Sequence, residues 1–553
     1  NSDMTFLRSS CIKRQRAFFL NIFPRGFITF VFLSAFLGFL PTNALAATDS
    51  VELTQLYLYA NIETVGVVVS GVDLPQTAEL LYRQSGQEDW HTGHQLMRIE
   101  TGALVGSLFD LLPSTTYEIK VRSGANELSA STVTQALDLQ FTPSRILYVN
   151  VSALQGGDGS AAKPFHRIQD AIDQATPGTQ ILVGDGIYKE EINFPNSGNE
   201  GNWIQLKATG NSVVLEGSRT VSGDVWSAEG RANVWRKQAD GLFAYLARDG
   251  ERFFQYESLG KLRKDEGGEG WYLDPETLKL SIRSRTDPAT HIWQIPFLNQ
   301  AIKIENQDWI WIEGFEVRFY GTGLGAFGVY TRNASHIVIR NNNIHNIRYG
   351  IFIDWTRGND GGNDTRIEYN EISDSPVNEW SWDNVKATPM EGTAIVLKGH
   401  IGAIVRGNDI HNFFNGIYTG SSADRHNPEL ALDIDVYDNY FHQLSDDALE
   451  PEGACVNHRF RDNMIEDAFV GLSLAPVSIG PTWVLRSTFA NYTGRGIKWD
   501  RGSRGLALIY HNTFWTTKKD IAAMDFIAPA KNGIVYNNIF QNTSYGVYEV
   551  QVG

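Results

Sequence analysis

From Asp308 onward the chain repeats one local pattern eight times: a small polar residue stands two positions before an apolar one. Asn342, Asn370, Asn408, Asn439, Asn463, Ser487, Asn512 and Asn538 hold the polar slot. Ile344, Ile372, Ile410, Phe441, Ile465, Phe489, Phe514 and Phe540 hold the apolar one. The polar slots recur every 24 to 38 residues, which suits the coils of a solenoid with loops of unequal length. A lone coil cannot bury its apolar side, so the coils must stack, and stacking places like residues one strand spacing, about 4.8 Å, apart. Asparagines at that spacing can hydrogen-bond along a ladder inside the stack.

A second alignment falls on the strand after each of these corners. Residues 350–354, 394–398, 416–420, 448–452, 471–475 and 496–500 line up. Strand alternation sends Ile351, Ile395, Ile417, Leu449, Leu472 and Ile497 inward. The outward set is then Phe352 with Asp354, Val396 with Lys398, Tyr418 with Gly420, Glu450 with Glu452, Ser473 with Ala475, and Lys498 with Asp500. Residues spread over about 150 positions thus converge on one strip about 5 Å per coil.

Upstream the texture differs. Arg8, Lys13, Arg14, Arg16 and Arg25 precede the apolar run Phe27 to Leu40, and Ala44-Leu45-Ala46 follows. Basic, apolar and small residues in that order predict a secretory signal peptide over residues 1–46. The apolar run is 14 residues, shorter than the roughly 20 a spanning helix needs. Export to the cell surface, the periplasm or the medium is therefore expected, with no stable membrane insertion after cleavage. The net charge is -16, from 63 acidic and 47 basic residues, which argues against nucleic-acid binding through a basic face. Cleavage also removes Cys11, leaving Cys455 without a disulfide partner.

Two stretches resemble known families. Leu111-Leu112-Pro113-Ser114-Thr115-Thr116-Tyr117 and the strand after it resemble the corner of fibronectin type III domains, where a tyrosine locks two sheets. A β-sandwich of that type is expected over residues 47–142. Tyr148-Val149-Asn150, Gly156 to Ser160 and the amphipathic helix around Ile168, Ala171, Ile172 and Ala175 resemble the opening of right-handed parallel β-helix proteins of the pectate-lyase-like superfamily. The fold class this implies is all-β: a right-handed parallel β-helix over residues 143–553, with a β-rich insertion at about 226–293.

The outward strip concentrates charge. Asp446 and Asp447 enter the strand of Glu450 and Glu452, with Lys498 and Asp500 on a later coil and Lys398 on an earlier one. Two loops flank these strands; one carries Trp380 and Trp382, the other Arg425 and His426. With Asp354, Trp355 and Arg501 at strand ends, these are candidate substrate-binding residues, since exposed tryptophans beside polar groups suit stacking on sugar rings. Asp446-Asp447, Gly471-Leu472-Ser473 and Gly496-Ile497-Lys498 resemble the order of motifs in polygalacturonases, whose paired aspartates supply acid and base. The chain departs from that family at Phe469-Val470, where a histidine belongs, and at Tyr418-Thr419-Gly420, where an aspartate belongs.

Resemblance to β-helix lyases implies a different chemistry. There a lysine or arginine removes the proton beside a uronate carboxylate, often with Ca²⁺ on acidic side chains. The first expectation is a polysaccharide lyase acting on an acidic glycan. Lys398 or Lys498 would be the base, Tyr418 a proton donor, and Asp446, Asp447, Glu450 and Glu452 the ligands of Ca²⁺. The second is a glycoside hydrolase pairing Asp447 with Glu450, Glu452 or Asp500. The third is a non-catalytic solenoid that binds carbohydrate or mediates surface adhesion.

Overall fold

The structure, a computed structural model, describes residues 52–223, 225–230, 233–264, 268–323, 325–354, 362–420, 431–527, 531–541 and 544–549. The expected signal peptide lies outside these residues, as do Trp355, Arg425 and His426. Among the described residues no helix is long and apolar enough to cross a membrane. The chain divides into two compact units, the first ending at Leu137 and the second beginning at Asp138.

The first unit is antiparallel. Its strands pair in the order Glu52–Ala60, Val65–Val72, Leu104–Leu108, Leu96–Arg98, Thr77–Gln84, Thr116–Ser123 and Asn126–Val133, with His91–Thr92 beside Thr77–Gln84. Alternation puts Val65, Val67 and Val69 in a core with Leu80, Ile119 and Val121, all fully buried. The Tyr117 hydroxyl accepts the Leu112 N–H at 3.0 Å, tying the strand to the turn before it.

The second unit is the solenoid, a right-handed parallel β-helix. One wall is a twelve-stranded parallel sheet running coil by coil from Arg145–Val149 to Gly533–Tyr536. The other two walls join into a single sheet of twenty strands. Each coil passes through the walls in the same order, as in Ile404–Arg406, then Asp409–His411, then Asn415–Gly420. The interior is almost wholly aliphatic and aromatic; the six inward residues from Ile351 to Ile497 are all fully buried.

The polar slots form the expected ladder. The Asn342 backbone N–H and side-chain amide both donate to Asn370 Oδ1 at 3.0 Å, and Asn370 repeats this on Asn408, Asn408 on Asn439, and Asn439 on Asn463. Ser487 accepts the Asn463 N–H through its hydroxyl at 3.2 Å, and Asn512 resumes the amide contacts on Asn538. The residue before each slot takes a left-handed backbone, with φ of 56° at Asn341, 54° at Asp438, 56° at Asp462 and 54° at Asn537. Asn and Asp tolerate that conformation best among residues with a side chain, so the corner and the ladder specify the same turn. Gly407 serves there in one coil, where a Cβ would come within 2.5 Å of the Tyr369 ring.

The helix at the opening is short, Ile168–Ile172, and lays Ile168, Ala171 and Ile172 on the first coils. Its own preceding residue, Arg167, makes no side-chain cap. Glu190 replaces that cap, accepting the Ile168 N–H at 3.0 Å and the Gln169 N–H at 3.2 Å. The expected insertion is two four-stranded antiparallel sheets within Ser218–Pro296, around Trp226, Trp271 and Trp293. Its Arg252 pairs with the buried Asp374 of the solenoid, and Tyr245 donates to the same carboxylate at 2.8 Å. Phe254, Tyr256 and Leu262 of the insertion bury against Val377, Val385, Met390 and Phe414.

Candidate active site

The wall made of Tyr349–Asp354, Thr393–Lys398, Asn415–Gly420 and the later strands carries the outward strip. Tyr418 is in register with Glu450, and Ser473 with Lys498. Leu449 pairs with Leu472, which puts Ser473 beside Glu450, so Tyr418, Glu450, Ser473 and Lys498 stand in one outward row. Asp446 and Asp447 lie in the bend of the long strand Tyr440–Glu452, where the register to the next coil shifts between Leu444 and Asp447. The irregularity re-aims the side chains there.

The carboxylates do not share one environment. Asp446 is buried and accepts a hydrogen bond from Lys386 Nζ at 2.8 Å; the same ammonium is 3.0 Å from Glu391. Asp447 is buried too; its Oδ2 lies 3.4 Å from Lys498 Nζ, while its Oδ1 has no protein partner. Burial, with the neighbouring Asp446 charge, pushes the Asp447 carboxyl up to about 6. Burial and the Asp447 and Glu452 charges push Glu450 further, to about 8. Tyr418 donates to Glu452, and burial, with the Glu452 charge, raises the phenol well above its ordinary range. The strip therefore brings together two carboxyls of raised proton affinity, Glu450 more so than Asp447, with Lys498 Nζ at Asp447 and Lys386 Nζ at Asp446.

That combination can donate a proton from one carboxyl and accept one at another, the arrangement of a general acid and base with separated affinities. An apolar surface adjoins it. Trp382 is 38% exposed, its ring lies 6.1 Å from Phe469, and Lys386 Nζ sits 5.9 Å from the Trp382 ring centre.

Other candidates sit elsewhere. Lys398 is on the same strip but lays its ammonium over Phe352, 4.8 Å from the ring centre. Asp354 accepts from Tyr330 at 3.2 Å and Arg332 at 3.0 Å, three groups paired among themselves. Trp380 packs edge-on against Phe254 of the insertion, at 5.3 Å. Asp500 follows the end of its strand at Trp499 and accepts the Arg501 N–H at 2.6 Å in a local turn, with Arg501 exposed. Lys386, which no repeat pattern marks, arrives from the loop helix Trp382–Val385. Its position depends on how that loop folds back, which leaves no periodic trace in the sequence.

Fold and site together define a right-handed parallel β-helix protein with a row of acidic and lysine side chains on one wall. Residues 300–476 match the family model for the right-handed β-helix region. A stretch of 79 residues, 14% of this chain, is 28% identical to the uncharacterised protein YwoF of Bacillus subtilis (strain 168), and spans 17% of that relative's length. Among solved structures, XylC in complex with xylose is similar over 72% of this chain and 86% of its own, at 14% identity and a TM-score of 0.47. Pectate lyase Pel9A is similar over 72% and 79%, at 14% identity and a TM-score of 0.38. An alginate lyase from Paenibacillus sp. str. FPU-7 is similar over 74% and 99%, at 11% identity and a TM-score of 0.31.

Proposed function

We propose that this protein is an exported carbohydrate-active enzyme that cleaves a polysaccharide in the groove around Glu450, and that it does so by glycoside hydrolysis. One arrangement carries the choice of reaction: Asp447 and Glu450 stand a few residues apart on one strand, Asp447 Oδ2 lies 3.4 Å from Lys498 Nζ, and burial raises the proton affinity of Glu450 further than that of Asp447. Glu450 would protonate the glycosidic oxygen as the leaving group departs. Asp447 would act at the anomeric carbon, either as nucleophile or through a water held at its unpartnered Oδ1. Lys498 lies 3.4 Å from Asp447 Oδ2 and would offer a positive charge to an acidic sugar. Trp382 and Phe469 offer the stacking surface.

A lyase is the second reading, supported by Tyr418 and Lys498 flanking Glu450 in one outward row. It requires a neutral amine as base, and Lys498 Nζ lies 3.4 Å from Asp447 Oδ2. Calcium belongs to this reading. Of the four carboxylates expected to hold it, Asp446 and Asp447 already face lysines and Glu452 accepts from Tyr418. A calcium ion, which takes six to eight oxygens, would enter by displacing Lys498 from Asp447. No step proposed here runs through it.

The deciding experiment incubates the purified protein with uronate-containing and neutral glycans, following absorbance near 235 nm and reducing ends together. New reducing ends without absorbance are expected. Absorbance abolished by a chelator would replace hydrolysis with calcium-assisted elimination, and binding with neither signal would make the solenoid a carbohydrate-binding protein.

A further inference from the structure

A different wall carries a second cluster. The short strands Glu371–Ser373 and Asp409–His411 and the start of Tyr440–Glu452 stack in register, pairing Glu371 with Asp409, and Ser373 with His411 and then His442. Outward side chains of three successive coils therefore form two columns, Glu371, Asp409 and Tyr440 in one and Ser373, His411 and His442 in the other. The ligand-type atoms of Asp409, His411 and His442 all lie within 4.8 Å of one another. His442 Nε2 is 3.0 Å from Asp409 Oδ1, and His411 Nε2 is 3.5 Å from Glu371 Oε1. The two imidazole rings stack, 4.7 Å apart.

The hydrogen bonds around His411 fix which nitrogen is free. Asn412 donates its side-chain amide to Asn378 Oδ1 at 2.9 Å, so Asn412 Oδ1 faces His411 Nδ1, also at 2.9 Å. An amide oxygen only accepts, hence His411 Nδ1 carries the hydrogen. In the neutral ring Nε2 is then a lone pair, and it points at the Glu371 carboxylate. A proton on Nε2 or a metal ion between ring and carboxylate would each satisfy that contact. An imidazole whose far nitrogen donates to a fixed acceptor while Nε2 meets carboxylates is the outer-shell arrangement of a metal-bound histidine.

The neighbouring coils supply a comparison. Asn343-Ile344-His345-Asn346 repeats the pattern of Asp409-Ile410-His411-Asn412, and His345 likewise sets Nδ1 on Asn346 Oδ1 and Nε2 3.2 Å from Glu316. There, however, the next coil offers Ser373 in the column of His411, and the slot beside His345 in the column of Asp409 is Asn343. Two histidines on consecutive coils with a carboxylate between them distinguish the corner at Asp409.

We propose that Asp409, His411 and His442, with Glu371 as a fourth ligand, form a binding site for one divalent transition-metal ion of the zinc class. Two neutral imidazoles and two carboxylates balance the charge of such an ion, and nitrogen with oxygen donors suits zinc better than calcium. The donors stand wider than a closed shell about 2.0–2.1 Å around zinc, so binding draws the half-exposed carboxylates and the histidines inward. The ion would clip three successive coils together at the base of the strand that carries Asp446, Asp447 and Glu450. This proposal is independent of the reaction assigned to the groove.

The test uses the full chain after chelator treatment and dialysis. Isothermal titration with ZnCl₂ is expected to show one saturable equivalent, and Co²⁺ to give visible ligand-field bands. His411→Gln and His442→Gln should each weaken Zn²⁺ binding at least about tenfold, with circular dichroism unchanged, and Glu371→Gln should weaken it less. His345→Gln serves as the control and should leave binding intact. No saturable binding in the parent chain, binding undiminished in both histidine variants, or equal loss in His345→Gln would overturn the site.

Discussion

Lys498 places its ammonium 3.4 Å from Asp447 Oδ2 across 51 residues of sequence, the separation of two coils. The contact is diagonal: Lys498 belongs to the row of Glu450, whereas Asp447 pairs with Val470 and, through it, with Arg495. The cation thus contacts Asp447 directly and acts on Glu450 only at longer range, so Glu450 is pushed up further than Asp447.

That difference sets the pH dependence of the proposed reaction. Activity requires Asp447 ionised and Glu450 protonated, so kcat/KM should be bell-shaped, with limbs near the values of about 6 and about 8 to which the pair is pushed. Glu450→Gln should lower kcat by about 10²- to 10⁴-fold on substrates with poor leaving groups. Asp447→Asn should abolish the acid limb with a loss of similar size. A profile unchanged in Glu450→Gln would remove this residue from the chemistry.

The same shift bears on stability. The Glu450 carboxyl has a raised folded-state affinity for its proton, so the fold is favoured below the ordinary value of 4.5 and loses that contribution as pH rises through about 8. Glu450→Gln has no proton to lose. Its thermal midpoint should match the parent near pH 4 and exceed it by a few degrees (about 2–4 °C) at pH 9, as read by differential scanning calorimetry.

Trp382 offers stacking surface, whereas Trp380 is held by Phe254. Trp382→Ala should raise KM about three- to tenfold with little change in kcat. Trp380→Ala should instead lower the unfolding temperature, because it opens the junction with the insertion. Steady-state kinetics and melting curves on both variants separate the two roles.

The ladder predicts a steep cost at an interior step. Asn408 accepts two hydrogen bonds from Asn370 and donates to Asn439 Oδ1 and the Ile367 and Arg406 carbonyls. Asn408→Ala strands buried donors and acceptors on both adjacent coils and should cost about 3 kcal/mol or more. Asn538→Ala, at a partly exposed step, should cost less. Urea unfolding measures both.

Export makes a separate prediction. The mature protein recovered from a secreting host should begin immediately after Ala46, as N-terminal sequencing would report.

The fold was legible because its determinants are periodic. Asn342 to Asn538 and the inward Ile351 to Ile497 recur at coil spacing, and each recurrence repeats the same inference. The groove was legible where its residues ride that period, as Tyr418, Glu450 and Lys498 do. It was illegible at Lys386, which enters from a loop whose path depends on tertiary packing, and at Trp380, whose partner Phe254 lies in the insertion. Asp500 misled because alternation has no meaning once the strand stops at Trp499. The histidines could have been read earlier: His345, His411 and His442 obey the period of the asparagines, three positions further along each coil.

The junction between insertion and solenoid reaches past stability. Arg252 and Tyr245 hold Asp374 at the root of the loop that carries Lys386, and Met390, near its far end, receives the Gln255 N–H. Both stems of the loop are clasped from behind, while its tip bears Trp382 and the cation on Asp446. The insertion is thus a splint for the mouth of the groove. Altering residues within Ser218–Pro296 is expected to move Trp382 and Lys386 while Asp447 and Glu450, on their own strand, stay in place.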